Sequence, residues 1–208
     1  MTQLFLVRHG NTDWADKKLA GWTPGVHLND TGAKQAEALV ERLAPIRFDA
    51  IYSSPLERTR ETAAPLARAR GLKVIKLSDI GEVRYGDWQG KSLSQLSKKK
   101  EWATVQLAPS MMRFPNGESI REMQSRAVAG IERIAAAHPK GTVALFSHGD
   151  VIKAIVAHLI GMPLDTFQRL SIAPASVTVM VLGRFGARLL RLNDTGPFQT
   201  PSKNGRKK

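Results

Sequence analysis

Cysteine is absent from the chain, which excludes disulfide bonds, thiolate catalysis and cysteine-based zinc sites. No apolar stretch approaches the roughly 20 residues that a membrane helix needs. The N-terminus enters a strand directly, without the basic leader and apolar run of a signal peptide. A cytoplasmic protein with no membrane contact is expected. Acidic side chains are scarce, 18 against 31 Lys and Arg, leaving a formal net charge of +13. That excess favours anionic partners, whether small phosphates, nucleic acid or a lipid surface. Aromatic residues make up only 6%, and none interleave the scattered basic residues as a nucleic-acid stacking groove requires. Nucleic acid is therefore not expected as a partner. A P-loop is missing too: Gly86-Asp87-Trp88-Gln89-Gly90-Lys91-Ser92 has three residues between its glycines where that motif has four.

What is present is enough for one substantial core, 42% hydrophobic residues in a chain of 208. A single domain over residues 1–195 is expected, followed by a basic, disordered tail, 196–208, that carries Lys203, Arg206, Lys207 and Lys208. Leu4 to Val7 is apolar on successive residues, the mark of a central strand buried on both faces. Leu28 to Gly32 turns into a helix with Ala36, Leu39, Val40 and Leu43 on one face, ended by Pro45. Phe48 to Tyr52 reads as a second strand. Ser54 with Pro55 behind it predicts the start of a second helix. Val74 to Leu77 gives a third strand, and Gly81 to Gly90 a loop. From Ser92 to Met112 the pattern weakens, with Lys98 to Lys100 read as a solvated helix face. Glu118 is expected to open a long helix built on Ile120, Met123, Ala127, Ile131 and Ile134. Thr142 to Phe146 is another core strand, followed by a buried helix that is apolar nearly all round from Val151 to Leu159. Val177–Leu182 and Leu189–Leu192 flank Gly183 and Gly186 as an edge hairpin. Strands alternating with helices predict an α/β fold with a largely parallel sheet.

Two core strands end in a histidine followed by glycine, Arg8-His9-Gly10 and Ser147-His148-Gly149. Arg58 falls in the first turn of a helix that follows another strand. If these strands are neighbours, two imidazoles, two guanidiniums and a helix N-terminus share one crevice at the C-terminal edge of the sheet. Such a crevice suits a phosphoryl group, since bidentate guanidiniums and a helix N-terminus both favour an oxyanion. One imidazole could then attack phosphorus.

Arg8-His9-Gly10 with Thr12 resembles the signature of the histidine phosphatase, or phosphoglycerate mutase-like, superfamily. The likeness continues through Leu28 to Gly32 with Gln35-Ala36, Ser53 to Ala63, Glu82 with Gly86, Trp88 and Gly90, Pro115 to Ser119, and Ser147 to Asp150. The resemblance implies a single-domain three-layer sandwich: a six-stranded, mostly parallel sheet with helices on both faces. It also implies a reaction that uses no metal and no cofactor. Carried over by position, His9 is the nucleophile, passing through a phosphohistidine. Arg8, Arg58 and His148 bind the phosphoryl oxygens, and Glu82 is the general acid and base. Asn11, Thr12, Gly21, Arg60 and the Gly149 amide follow as substrate contacts. One departure is Ala15 after Trp14, where relatives often carry Asn. Trp22 and Trp88 either line the pocket or pack, and His27, His138 and His158 are read as structural or surface residues.

The implied activity is hydrolysis of a small phosphorylated metabolite with release of inorganic phosphate. A mutase-type transfer is the alternative, disfavoured by the short segment between Gly90 and Pro115. A phosphate- or nucleic-acid-binding module without activity is the weaker reading. The sequence leaves the substrate unnamed and a homodimer open.

Overall fold

The computed structural model describes residues 1–196, so the expected tail lies outside the described residues from 197 onward. Six strands form one sheet in the order β3-β2-β4-β1-β5-β6. They are β1 (Thr2–Arg8), β2 (Ala50–Ser53), β3 (Val74–Lys76), β4 (Thr142–Ser147), β5 (Val177–Gly183) and β6 (Gly186–Asp194). The helices are α1 (Asp30–Arg42), α2 (Glu57–Arg70), α3 (Leu93–Leu96), α4 (Glu101–Leu107), α5 (Ile120–Ala137) and α6 (Gly149–Leu159). The pairs β1–β4, β4–β2 and β2–β3 are parallel. Strand β5 runs against both β1 and β6, so it alone is reversed.

Period-two side-chain alternation divides the core. Leu4, Leu6, Val143 and Leu145 point to the face covered by α5 and α6, with Met123, Ile131 and Ile155. Phe5, Val7, Ala144 and Phe146 point to the other, against Leu39 from α1, Leu43 at its C-cap, and Ala63 and Leu66 from α2. Burial on both faces explains why β1 and β4 read as unbroken apolar runs. No helix among the described residues is long and apolar enough to cross a membrane.

Several boundaries differ from expectation for local reasons. Helix α2 starts at Glu57 and not at Pro55, with Leu56 at the N-cap and no side-chain cap. Helix α5 starts at Ile120, capped by Ser119 in a reciprocal box with Glu122, so Glu118 precedes the helix. Phe48 and Asp49 lie before β2, which begins at Ala50. Residues 92–112 fold as the two short helices α3 and α4, with Lys98 to Lys100 exposed between them. The loop 81–90 contains a short 3-10 turn at Gly86–Trp88.

Candidate active site

The register pairs Arg8 with Ser147, and the His9 amide extends the ladder by donating to the Ser147 carbonyl at 3.0 Å. His9 and His148 therefore leave neighbouring strands at one level, ring centroids 5.3 Å apart and edge to face. The Ser54 amide bonds the Phe146 carbonyl on the other side of β4, bringing the entry to α2, and with it Arg58, to the same edge. A close backbone approach completes the floor. A Cβ on Gly10 would lie 2.7 Å from the Gly32 carbonyl oxygen, and one on Gly32 only 2.1 Å from that of Asn11. Neither position has room for a side chain. Asn29 caps α1 by accepting from the Gly32 amide at 2.9 Å, which fixes that contact.

Arg8, His9, Thr12, Arg58, Glu82 and Gly149 line one cavity of about 540 Å³. Within it the imidazole of His9 is buried, and its Nδ1 lies 2.7 Å from the Gly10 carbonyl oxygen. A carbonyl only accepts, so Nδ1 carries the proton and Nε2 keeps its lone pair. Burial, then the Arg58 and Arg8 charges, hold the pKa of His9 well below its usual range. The ring is neutral at pH 7.

His148 is fully buried. Its Nδ1 accepts from Arg58 Nη2 at 3.3 Å, and its Nε2 then donates to Ser54 Oγ at 2.9 Å. Burial and Arg58 push its pKa down as well, so the 3.6 Å approach of Glu82 to Nδ1 joins two uncharged groups rather than an ion pair whenever Glu82 is protonated. The carboxyl of Glu82 has its pKa raised to about 7, by burial first and by the Asp150 charge second. It is poised to give or take a proton at neutral pH.

Both arginines are anchored by one part of the fork and open at another. Arg8 Nη1 donates to the Ile172 carbonyl at 2.6 Å, and Arg58 Nη2 to the Gly21 carbonyl at 2.9 Å. Arg8 Nε and Arg58 Nη1 are buried without a protein acceptor. Unsatisfied buried donors are costly, and an oxyanion is the ligand that would satisfy them. Gly149 opens α6 beside Arg8, so the positive end of that helix faces the same space. Among the described residues there is no group of three or more His, Asp or Glu side chains arranged to hold a metal ion.

Asn11, Gly21 and Arg60 are not brought into the cavity. Gly21 offers its carbonyl to Arg58 from behind. The Asn11 amide donates to Gln35 Oε1. Arg60 lies two residues beyond Arg58, about 200° round the helix, and lines a separate depression with His27, Glu57 and Lys76. Trp22 and Trp88 pack: the Trp22 indole donates to the Glu82 carbonyl at 2.6 Å, and Trp88 is buried against Phe114 and Trp102. His27 pairs with Glu61 on the surface, and His138 bonds the Tyr52 hydroxyl.

The structure adds residues the sequence did not single out. Lys153 lines the cavity, where it is held by Asp150 at 3.2 Å and Gln168 at 2.9 Å. One turn of α6 separates it from Gly149, a rise of about 6 Å. Trp14 with Lys18 above its ring forms another part of the wall. A lysine within the apolar run from Val151 to Val156 was the available signal for Lys153.

Comparison with known proteins finds relatives over nearly the whole chain. The family model for the histidine phosphatase superfamily, branch 1, matches residues 4–195. Phosphoserine phosphatase 1 of Hydrogenobacter thermophilus is 31% identical over 200 residues, covering 94% of this chain and 93% of the relative. The probable phosphoglycerate mutase GpmB of Escherichia coli is 30% identical over 181 residues, covering 86% and 84%. Among solved structures, Bacillus stearothermophilus YhfR superposes with a TM-score of 0.88 at 27% identity, covering 94% of this chain and 98% of that one.

Proposed function

The chain belongs to the histidine phosphatase superfamily, and on that premise we propose that it hydrolyses a small phosphomonoester through a phosphohistidine at His9. The phosphoryl group enters between Arg8 and Arg58 and engages their free N–H donors. His9 Nε2 attacks phosphorus, forming the P–N bond as the ester P–O bond breaks. Glu82, protonated, gives its proton to the departing alkoxide. The resulting carboxylate then takes a proton from water as that water attacks the phosphohistidine, releasing phosphate and restoring neutral His9. Charge on the transferring oxygens is met by two guanidiniums and the α6 N-terminus. Thr12 and the Gly149 amide complete the phosphoryl pocket, and His148, outside the cavity lining with both ring nitrogens engaged by Arg58 and Ser54, holds Arg58 in place behind it.

The observation that carries this reading is the pair of buried, unpartnered guanidinium nitrogens beside a neutral imidazole with its Nε2 free. The leaving group lies on the Glu82 side, where Asp150, Lys153 and Gln168 favour a polar alcohol. A phosphoserine phosphatase among the relatives agrees with a substrate of that size and polarity. The mutase alternative draws on GpmB. Lys98 to Lys100, which such an enzyme could use for a substrate carboxylate, do not line the cavity.

Phosphate release from a panel of phosphomonoesters, with EDTA present, tests the reading. Chelator-resistant release that His9→Ala abolishes, together with an acid-labile phosphoenzyme in the wild type, is expected. Activity retained by His9→Ala would overturn it. Conversion of 3-phosphoglycerate to 2-phosphoglycerate faster than its hydrolysis would establish the mutase instead.

A further inference from the structure

Glu82 sits outside any helix or strand, yet a general acid must be aimed to within a fraction of an ångström. Its carboxyl is held locally: Oε1 accepts from the Val83 amide at 2.9 Å. The direction of that carboxyl is therefore set by the backbone at 82 and 83. One side chain gathers this backbone from below. Arg126, in the middle of α5, donates through Nη1 to the carbonyls of Asp79 at 2.6 Å and Gly81 at 2.9 Å. Through Nη2 it reaches the Glu82 carbonyl at 2.8 Å. The same guanidinium binds both oxygens of Glu118, at 2.6 and 2.9 Å. Glu118 in turn accepts from the Arg84 amide at 2.8 Å, and its own amide donates to the Arg84 carbonyl at 3.0 Å. The ion pair thus grips the chain on both sides of Glu82.

Helix α5 is shaped for this grip. Gly130, one turn after Arg126, packs where a Cβ would lie 2.8 Å from the Cβ of Asp79. Lacking that atom, the helix comes close enough for the guanidinium to reach the loop carbonyls. The pair is largely buried, with side-chain exposures of 19% and 10%. Buried ion pairs are a poor route to stability, and apolar replacements often serve as well. What an apolar side chain cannot supply here is the set of donors to the carbonyls of Asp79, Gly81 and Glu82.

We propose that Arg126, with Glu118, is a positioning residue for proton transfer: it acts through the loop backbone to aim the Glu82 carboxyl at the leaving oxygen. This rests on the reading of Glu82 as the general acid. The two can be tested separately because protonation matters in proportion to the basicity of the leaving group. An alkyl ester such as glycerol 3-phosphate needs the proton, and 2,4-dinitrophenyl phosphate does not. Steady-state kcat/KM, which ends with departure of the alcohol and so leaves out the later base step of Glu82, is measured for both esters in wild type, Glu82→Gln, Arg126→Lys and Arg126→Met.

Glu82→Gln is expected to lose roughly 100-fold or more on the alkyl ester and far less on the dinitrophenyl ester. Arg126→Met should show the same selectivity, with the alkyl-to-aryl ratio falling at least tenfold, and Arg126→Lys an intermediate value. A general weakening of the fold would lower both rates together. Equal losses on the two esters in the Arg126 variants, beside a selective Glu82→Gln, would overturn the positioning role and leave the acid intact. An unselective Glu82→Gln would remove the acid assignment and the proposal with it. Should Arg126→Met not fold, Arg126→Lys and Glu118→Gln, which keeps the shape of the carboxylate, read the same ratio.

Discussion

His148 Nε2 donates to Ser54 Oγ across 2.9 Å, tying the end of β4 to the turn that enters α2. Because Arg58 donates to the other ring nitrogen, this bond fixes which nitrogen carries the proton. Ser54→Ala strands a buried N–H at a cost of about 1–3 kcal/mol. It also frees the ring to change tautomer. The variant is expected to unfold at lower denaturant concentration and to lose about tenfold in kcat with little change in KM. Unchanged kcat beside lowered stability would show that the tautomer is held by Arg58 alone.

Glu82 gives the protein a pH signature of definite sign. Its pKa rises from 4.5 to about 7 on folding, so the folded state holds a proton that the unfolded chain releases. The associated stability is present below pH 4.5 and is lost as pH climbs through about 7. Glu82→Gln carries no such charge. Between pH 4.5 and 8 its stability relative to wild type should improve by up to about 3 kcal/mol. In kinetics, the fall of kcat/KM for alkyl esters above about pH 7 should disappear in the variant. Parallel urea midpoints for the two proteins at all pH values would contradict the first expectation.

Asp150 raises Glu82 by charge repulsion and accepts from Lys153. Asp150→Asn removes the repulsion and leaves Lys153 with less neutralisation, and both changes favour the Glu82 carboxylate. The alkaline limb of kcat/KM should move to lower pH. A shift to higher pH would mean that Lys153 turns away from the cavity once its partner is gone.

Gly32→Ala puts a methyl into the Asn11 carbonyl, 2.1 Å away, on the loop that carries His9. Neither neighbour is a flexible side-chain end, so the loop or the first turn of α1 must move. Activity is expected to fall at least 100-fold, since ångström-scale misplacement of reacting groups has that effect, while most of the cooperative unfolding transition survives. Near-normal activity would show that the contact can be relieved without displacing His9.

How much of this was legible in the sequence depends on where the information resides. Leu4 to Val7 and Val143 to Phe146 announced themselves because burial on both faces leaves no polar interruption. The Arg-His-Gly and Ser-His-Gly endings marked the site, but the adjacency of β1 and β4 is a pairing 139 residues apart in register, which no local pattern encodes. Ser54 was visible for the wrong reason. Serine before proline is a helix-start signal, whereas this hydroxyl serves His148. Arg60, carried over from the resemblance, lies outside the cavity because two residues beyond Arg58 a helix has turned it to another face. Arg126 carried a faint signal: it shares a stripe with the buried Met123 and Gly130, three and four residues away. A cation on that inner stripe needs partners, and only the fold shows that they are the carbonyls beneath Glu82.

Strand β1 also shapes how the chain reaches its native state. Both of its partners come late, Leu4 pairing with Val143 on one side and Met180 on the other. Until β4 and β5 are available, an apolar strand and the His9 that follows it have no place to dock. Such non-local closure makes folding slow and leaves that strand open to stray pairing in the interval. The candidate site therefore cannot be complete before β4 is in place, and a chain interrupted before β4 holds His9 with neither His148 nor the α6 amides beside it.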